Sequence, residues 1–351
     1  MSVEVDEVSD ATHYVIIGNG AAGNEAAWHL RHRDPDSRIS LITAGRLLFL
    51  NRYEFPRVLD GIDDWREFLV HPPAYYDEQR IIVRRLSWVE RVDPRHRAIE
   101  LRHKEQLSYD KLLVASGGGG YLPEYLREYH HLLHDFNTIK NAKQIREALP
   151  SSGGKVVMLG GDVKGLDLAR TLVKADHEVI VVASEHLFWP HLISAEEIPR
   201  YVDALEHMGI QVIRDRKVAR IEAGSRGLHA RCVVFDDDGE LHADVVMAFY
   251  GLMPALKFIL GSGIDVARGL LVNQQLRTVD EHIWAAGDVC QIWSPEENHY
   301  RFYYGWKNVK MMGRIAAINM TDGNEAVSTF KEDKLLINAQ GEIDSTLWEY
   351  D

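Results

Sequence analysis

Tyr14-Val15-Ile16-Ile17-Gly18-Asn19-Gly20-Ala21-Ala22-Gly23 decides how the chain begins to fold. The four β-branched and aromatic residues suit a buried parallel strand, and three glycines follow at once in a GxGxxG spacing. Ala21, Ala22, Ala26 and Ala27 then make a helix with a small-residue face, and Ile39-Ser40-Leu41-Ile42 supplies a second apolar strand after Pro35. Strand, glycine turn, helix and strand in that order form a dinucleotide-binding unit. Gly18 permits the tight turn, Gly20 lets backbone approach a pyrophosphate, and Gly23 lets helix and strand pack closely. The anion sits on the positive end of the helix dipole. The acidic residue expected about 20 positions further on to hold a ribose hydroxyl is absent, since Ala44-Gly45-Arg46 stands there.

The pattern recurs further along the chain. Lys155-Val156-Val157-Met158-Leu159 leads into Gly160-Gly161-Asp162-Val163-Lys164-Gly165, then a helix through Leu168, Ala169, Leu172 and Val173, then the strand Val179-Ile180-Val181-Val182. Here Asp162 occupies the middle-glycine position and sets a negative charge where a pyrophosphate should approach. Two like charges at about 4 Å cost about 1 kcal/mol in water and several in a drier site, an effect that Lys164 partly offsets. The second strand ends in Val182-Ala183-Ser184-Glu185, without the ribose-binding acid and without an arginine for a 2′-phosphate, so neither NADH nor NADPH is favoured. A third segment, Thr278 to Asp288, reads as a turn, a short apolar strand and a Gly287-Asp288 pair. The Asp288 carboxylate suits a polyol, and Gly287 permits close approach. On turn preferences alone, a plain turn is the competing reading.

Bulk properties narrow the classes. The 351 residues exceed one ordinary core and favour two domains. A net charge of -13 argues against a general nucleic-acid binder. Arg80, Arg84, Arg85, Arg91, Arg95 and Arg97 form either a basic face for an acidic partner or a solvated strand face. The only cysteines, Cys232 and Cys290, stand far apart and outside any CxxC pair, which supports neither a disulfide framework nor zinc and fits a reducing cytoplasm. Both read as packing residues. Met1 to Ala11 is an acidic tail without signal-peptide features, and no apolar run is long enough for a membrane helix. His130, His131 and His134 are expected on a solvated helix face rather than in a metal site, and Asp236-Asp237-Asp238-Gly239 in a hairpin turn.

Together these segments resemble the FAD-dependent pyridine nucleotide-disulfide oxidoreductases, in the branch of rubredoxin reductases, ferredoxin reductases and nitrite reductase flavin domains, from about Tyr14 to Gly323. Thr278 to Asp288 is similar to the family's second FAD motif, in which the aspartate meets the ribityl chain. Ala115-Ser116-Gly117 is similar to its Ala-Thr-Gly, and Leu50-Asn51-Arg52-Tyr53-Glu54-Phe55-Pro56-Arg57 to its Tyr-x-Arg-Pro-x-Leu-Ser-Lys. The resemblance implies that Arg52 helps hold FAD and that Arg57 replaces a lysine close to the flavin, where positive charge stabilises the reduced form. The helix beginning at Trp306 and running to Met320 would close over the flavin. Asp167 matches a glutamate that meets the nicotinamide amide and is one methylene shorter; a solvated helix residue is the alternative. No cysteine precedes residue 232, so thiol chemistry at the flavin is not implied.

The expected architecture is α/β, with two Rossmann-like three-layer dinucleotide-binding domains, the second inserted in the first. The FAD domain is split over 12–120 and 250–325, the NAD(P)-like domain covers 121–249, and 326–351 is a remnant tail able to supply one or two strands, for example Lys334-Leu335-Leu336-Ile337. The family's usual C-terminal domain is not expected. Its absence would leave a flavin-side surface open to another protein, with Leu347-Trp348-Glu349-Tyr350 either an anchor for it or folded back. The leading expectation is an FAD-dependent oxidoreductase moving electrons between NAD(P)H and a protein carrier, iron-sulfur in type (ferredoxin, rubredoxin or a complex subunit). The alternatives are an FAD-binding subunit of a hetero-oligomeric complex with a degenerate nicotinamide site, and a flavin-binding scaffold.

Overall fold

A computed structural model describes residues 11–224, 231–327 and 334–348. The described residues fall into two compact units. One gathers those within Met1–Leu50, Val70–Gly118 and Pro254–Lys331, and the other those within Asn51–Leu69, Gly119–Met253 and Glu332–Asp351.

In the first unit, five parallel strands lie in the order Ile283–Ala285, Lys111–Val114, His13–Ile17, Arg38–Ile42, Ile81–Arg84. His13–Ile17 is buried along its whole length, as a central parallel strand covered on both faces must be. The helix Ala21–Arg33 follows the glycine turn, and Ala22, Ala26, Ala27 and Leu30 face the core. The helix Trp306–Met320 packs against it so closely that a Cβ on Gly313 would lie 2.4 Å from the Ala22 carbonyl oxygen. A three-stranded meander, Val89–Asp93, Ala98–Leu101 and Gln106–Ser108, contributes Val92, Ile99 and Leu101 to the same core. Two of the six arginines read as either a basic or a solvated strand face are ion-paired: Arg84 with Glu105, and Arg91 with Glu100 at 3.3 Å.

The second unit repeats the plan. Four parallel strands run in the order Ile210–Ile213, Glu178–Ala183, Lys155–Gly160, Val245–Phe249, with helices at Ile139–Ala148, Val163–Lys174 and Ile198–His207. An antiparallel sheet, Val218–Ala223, Arg231–Phe235 and Glu240–Ala243, completes it, and Asp236 to Gly239 makes the expected hairpin turn, with the Gly239 N–H donating to Asp237.

Two segments group otherwise than the sequence reading has them. Asn51–Leu69, expected with the first domain, belongs to the second unit. The reason is polar: Arg146 donates to the Val58 carbonyl and to Asp63, each at 2.8 Å, and Lys143 pairs with Asp63 at 3.3 Å. The C-terminal segment is likewise part of that unit. Leu335–Ile337 and Ile343–Ser345 pair as an antiparallel hairpin, Tyr201 Oη donates to the Leu335 carbonyl, and Leu347 and Trp348 are buried. Of the two readings of the terminus the folded-back one describes Leu347 and Trp348; Glu349 and Tyr350, like most of the acidic N-terminal tail, lie outside the described residues.

Candidate functional site: two glycine turns, one open and one filled

The two glycine turns share a frame. A Cβ on Gly18 would lie 2.0 Å from the Ala115 carbonyl oxygen, and one on Gly160 would lie 2.2 Å from the Phe249 carbonyl oxygen, so each first glycine is wedged against the exit of the neighbouring strand. Both also have positive φ, +123° and +102°. The last glycines are equally tight. A Cβ on Gly23 would meet the Gly18 oxygen at 2.1 Å, and one on Gly165 would meet the Phe249 ring at 2.5 Å.

The middle positions differ. At Gly20 nothing lies within 4 Å of where a Cβ would stand, and Gly20 offers the helix Ala21–Arg33 no side-chain cap. The first turn carries no acidic residue. The first N–H groups of a helix have no partner within it, so this turn presents donors and the positive dipole end to open space. A diphosphate requires that combination. The turn is held from behind by a buried network: Asn24 Nδ2 donates to Asn19 Oδ1 (2.9 Å) and to the Gly20 carbonyl (3.0 Å), and Tyr76 Oη donates to Asn24 Oδ1 (2.8 Å). Asn24 and Tyr76 were not singled out from the sequence. An asparagine among core-facing alanines was the available signal for the first, whereas Tyr76 lies 52 residues away and only the fold brings it in.

The Thr278 to Asp288 segment arrives at the same turn. Thr278 Oγ1 donates to the Ile283 carbonyl (3.0 Å), closing the loop before the strand Ile283–Ala285, and the Ala286 N–H donates to Val114 (3.0 Å). Gly287, at φ +84°, then passes Ala22: a Cβ there would lie 3.4 Å from the Ala22 Cβ. Asp288 follows, half-buried. After the strand Lys111–Val114, Ala115-Ser116-Gly117 turns outward, Ser116 Oγ donating to the Ala255 carbonyl (3.1 Å) and Gly117 facing open space. Trp306 stacks on Phe49 with ring centroids 5.7 Å apart, and His71 stacks on Tyr75 at 4.0 Å. The fold thus brings Gly18, Gly20, Ala21, Ala22, Gly23, Gly287 and Asp288 together, and the residues present fit FAD: an open amide cradle for its pyrophosphate, a carboxylate for its polyol and room at Gly20. The end of Arg38–Ile42 carries no carboxylate for a ribose, as the sequence reading has it; Arg46 there is exposed.

At the second turn Asp162 is 4% exposed, and its carboxylate accepts from the Gly165 N–H (2.9 Å) and the Gly251 N–H (2.8 Å). Burial pushes its pKa above the usual carboxylate value, while the backbone donors at Gly165 and Gly251 pull the other way. The Val163 N–H donates to the Trp189 carbonyl (2.9 Å), and the Phe188 N–H to the Gly161 carbonyl (2.8 Å). Asp167 is held by Arg170 at 2.6 Å, and Arg170 lies over the Trp348 ring at 4.0 Å. The Asp167 carboxyl is also raised by burial, with Arg170 opposing. This turn does not fit a dinucleotide.

Arg52 and Arg57 lie on a short 3-10 helix, Arg52–Val58, of the second unit; Arg57 pairs with Glu54 and lies over the Phe68 ring at 5.7 Å. His130, His131 and His134 share no ligand set among the described residues. Cys232, Glu240 and His242, on adjacent strands, bring their ligand atoms within 4.8 Å of one another, a juxtaposition that strand pairing creates and spacing did not suggest. Cys290 is buried.

With this geometry in view, the chain belongs to the pyridine nucleotide-disulphide oxidoreductase family, whose model matches residues 12–317. Members of the family and its ferredoxin reductases use FAD with NAD(H) or NADP(H). Among curated relatives, the ferredoxin–NAD(+) reductase component of the anthranilate 1,2-dioxygenase system of Burkholderia cepacia is 28% identical over 330 residues, covering 90% of this chain and 77% of the relative. Subunit epsilon of the NADH-dependent phenylglyoxylate dehydrogenase of Aromatoleum evansii is 25% identical, covering 80% and 66%. The fold matches the covalent putidaredoxin reductase–putidaredoxin complex with a TM-score of 0.82 at 22% identity, over 95% of this chain and 80% of that one. No helix among the described residues is long and apolar enough to cross a membrane.

Proposed function

We propose that the chain is an FAD-dependent oxidoreductase that exchanges electrons between its flavin and a small protein carrier of iron-sulfur type, in the cytoplasm. The observation that carries this reading is the open turn at Gly20 with Gly287 and Asp288 set beside it, in a chain of this family. FAD, when bound, supplies reversible one- and two-electron chemistry. The protein's part is to hold and orient it: the amides following Gly20 take the pyrophosphate, Asn24 and Tyr76 keep that turn in shape, and Asp288 accepts from the polyol. Ser116, Gly117 and Trp306 are assigned to the flavin on the family's pattern.

Relatives named as ferredoxin–NAD(+) reductases and an epsilon subunit of an NADH-dependent dehydrogenase support a protein carrier on one side of the transfer. The filled turn at Asp162 favours a second reading, an FAD-binding electron-transfer subunit of a larger complex. Purified protein should be yellow, should be bleached by dithionite, and once reduced should be reoxidised by an oxidised two-iron or four-iron ferredoxin faster than by buffer alone. Colourless protein that takes up no FAD would sink the proposal; flavin that no ferredoxin reoxidises would remove the carrier from it.

A further inference from the structure

We infer that the second unit has lost its dinucleotide site by filling it with its own chain, so that electrons both reach and leave the flavin through protein carriers, with no nicotinamide nucleotide bound there. This deepens the flavin reading above and rests on it.

Three groups that a dinucleotide would need are already engaged inside this unit. The first is the middle position of the turn. A pyrophosphate needs bare backbone there, and Asp162 instead places a buried carboxylate over the helix N-terminus, accepting from Gly165 at 2.9 Å and from Gly251 at 2.8 Å. The carboxylate does the pyrophosphate's electrical task from within: it meets the donors of the Val163–Lys174 helix and takes its dipole's positive end. A second anion arriving there would find those donors used and a like charge in place.

The second is the helix's first N–H. Val163 donates to the Trp189 carbonyl, and Phe188 donates to Gly161, so the segment from Leu187 to Trp189 runs directly across the turn. A Cβ on Gly161 would meet Leu187 Cδ1 at 2.7 Å, which places that leucine on the glycine where a ligand would lie. The third is the carboxylate one turn into the helix. Asp167 is bound to Arg170, which stacks on Trp348, whose own Nε1–H donates to the Val163 carbonyl at 2.9 Å. The C-terminal segment thereby closes the same helix end from its outer side.

The cavity that opens beside this turn is small. The cavity beside Asp162 and Lys164, walled also by Phe136, Asn137 and Phe249, holds about 90 Å³, against roughly 300 Å³ at the small end of ligand sites. Lys164, which an anion would recruit, donates to Asn137 at 2.8 Å. The contrast with Gly20 is internal to the chain: same frame, same wedged first and last glycines, opposite occupancy.

The test is calorimetric titration of the FAD-saturated full-length protein with NADH, NADPH and ADP-ribose, with flavin absorbance recorded alongside. Wild-type protein should show no saturable heat up to about 1 mM of any of the three, a concentration at the weak limit of ordinary cofactor binding, and neither reduced nucleotide should bleach the flavin. Saturable binding of ADP-ribose, or bleaching by NADH or NADPH, overturns the inference whatever the variants do. Asp162→Gly, checked for unchanged circular dichroism and FAD content, should bind ADP-ribose at least tenfold more tightly than wild type. A folded Asp162→Gly protein that gains no binding would overturn the assignment of Asp162 as the occupant. Failure of the flavin reading would register separately, as protein that takes up no FAD.

Discussion

Gly20 and Asp162 hold the same place in two copies of one turn, and the difference between them is a single carboxymethyl group. The reciprocal exchange is therefore informative. Gly20→Asp should reproduce in the first unit what stands in the second: a carboxylate that caps the helix Ala21–Arg33 and excludes the pyrophosphate. Replacing a glycine N-cap by aspartate changes helix stability by only a few tenths of a kcal/mol, so the apoprotein's urea midpoint should stay nearly fixed. The FAD dissociation constant, measured by titrating the apoprotein, should rise at least tenfold, since a like charge in a partly dry site costs more than about 1.4 kcal/mol. An unchanged dissociation constant in that variant would show that the pyrophosphate does not lie on this turn.

At the scale of the element, the helix Ala21–Arg33 depends on more than its glycine turn. Its last turn is fastened by Arg31, 7% exposed, whose guanidinium donates to the carbonyls of Gln79 (2.8 Å), Pro35 (2.8 Å), Ser37 (3.0 Å) and Arg80 (3.0 Å). These carbonyls belong to the loop before Arg38–Ile42 and to the loop before Ile81–Arg84, so one side chain ties the helix to the approaches of two strands. Arg31→Ala takes the shared donor from the buried Ser37 carbonyl and from three part-buried ones and should lower unfolding stability by about 2 kcal/mol in urea titration. Arg31→Lys should recover less than half of that, because a point ammonium cannot span four carbonyls that a planar fork reaches. In sequence Arg31 reads as one of several basic residues closing a helix, His29 to Arg33; only the packing of two distant loops distinguishes it.

For the molecule as a whole, the strand that opens the fold also sets a pH limit on it. His13, at the start of His13–Ile17, is buried and bonded through Nε2 to Ser40 Oγ at 2.9 Å; burial first, then the charge of Arg38, lowers its pKa from 6.5 to about 4. The unfolded chain binds a proton at this ring below about pH 6.5 and the folded chain only below about 4. Stability is therefore whole above pH 6.5 and is lost as pH falls across that window, by about 3 kcal/mol in full. Chemical denaturation at pH 7 and pH 4.5 should reveal this loss, and His13→Gln, which keeps a hydrogen-bonding side chain but does not titrate there, should flatten it. An unchanged slope in His13→Gln would assign the acid sensitivity elsewhere.

Everything carried by local order is legible in the residues taken in line. The strand, turn, helix and strand around Gly18 to Gly23, their damaged repeat at Gly160 to Gly165, and the Thr278 to Gly287 loop each follow from steric and hydrogen-bonding rules that act within a few residues, and the α/β architecture follows from their sequence. Even the exception at Asp162 was legible as a charge in the wrong place. Tertiary structure alone decided what such a charge does. Whether Asp162 repels a ligand or replaces it depends on Gly251, 89 residues away, on the Trp189 carbonyl and on Trp348, and contacts over such distances arise only when parallel strands and a returning C-terminal segment are packed on one helix end. The grouping of Asn51–Leu69 with the second unit has the same origin, since Arg146 and Lys143 meet Asp63 only in the folded chain. A buried carboxylate is tolerated only when donors surround it, and those donors come from chain that no local pattern connects.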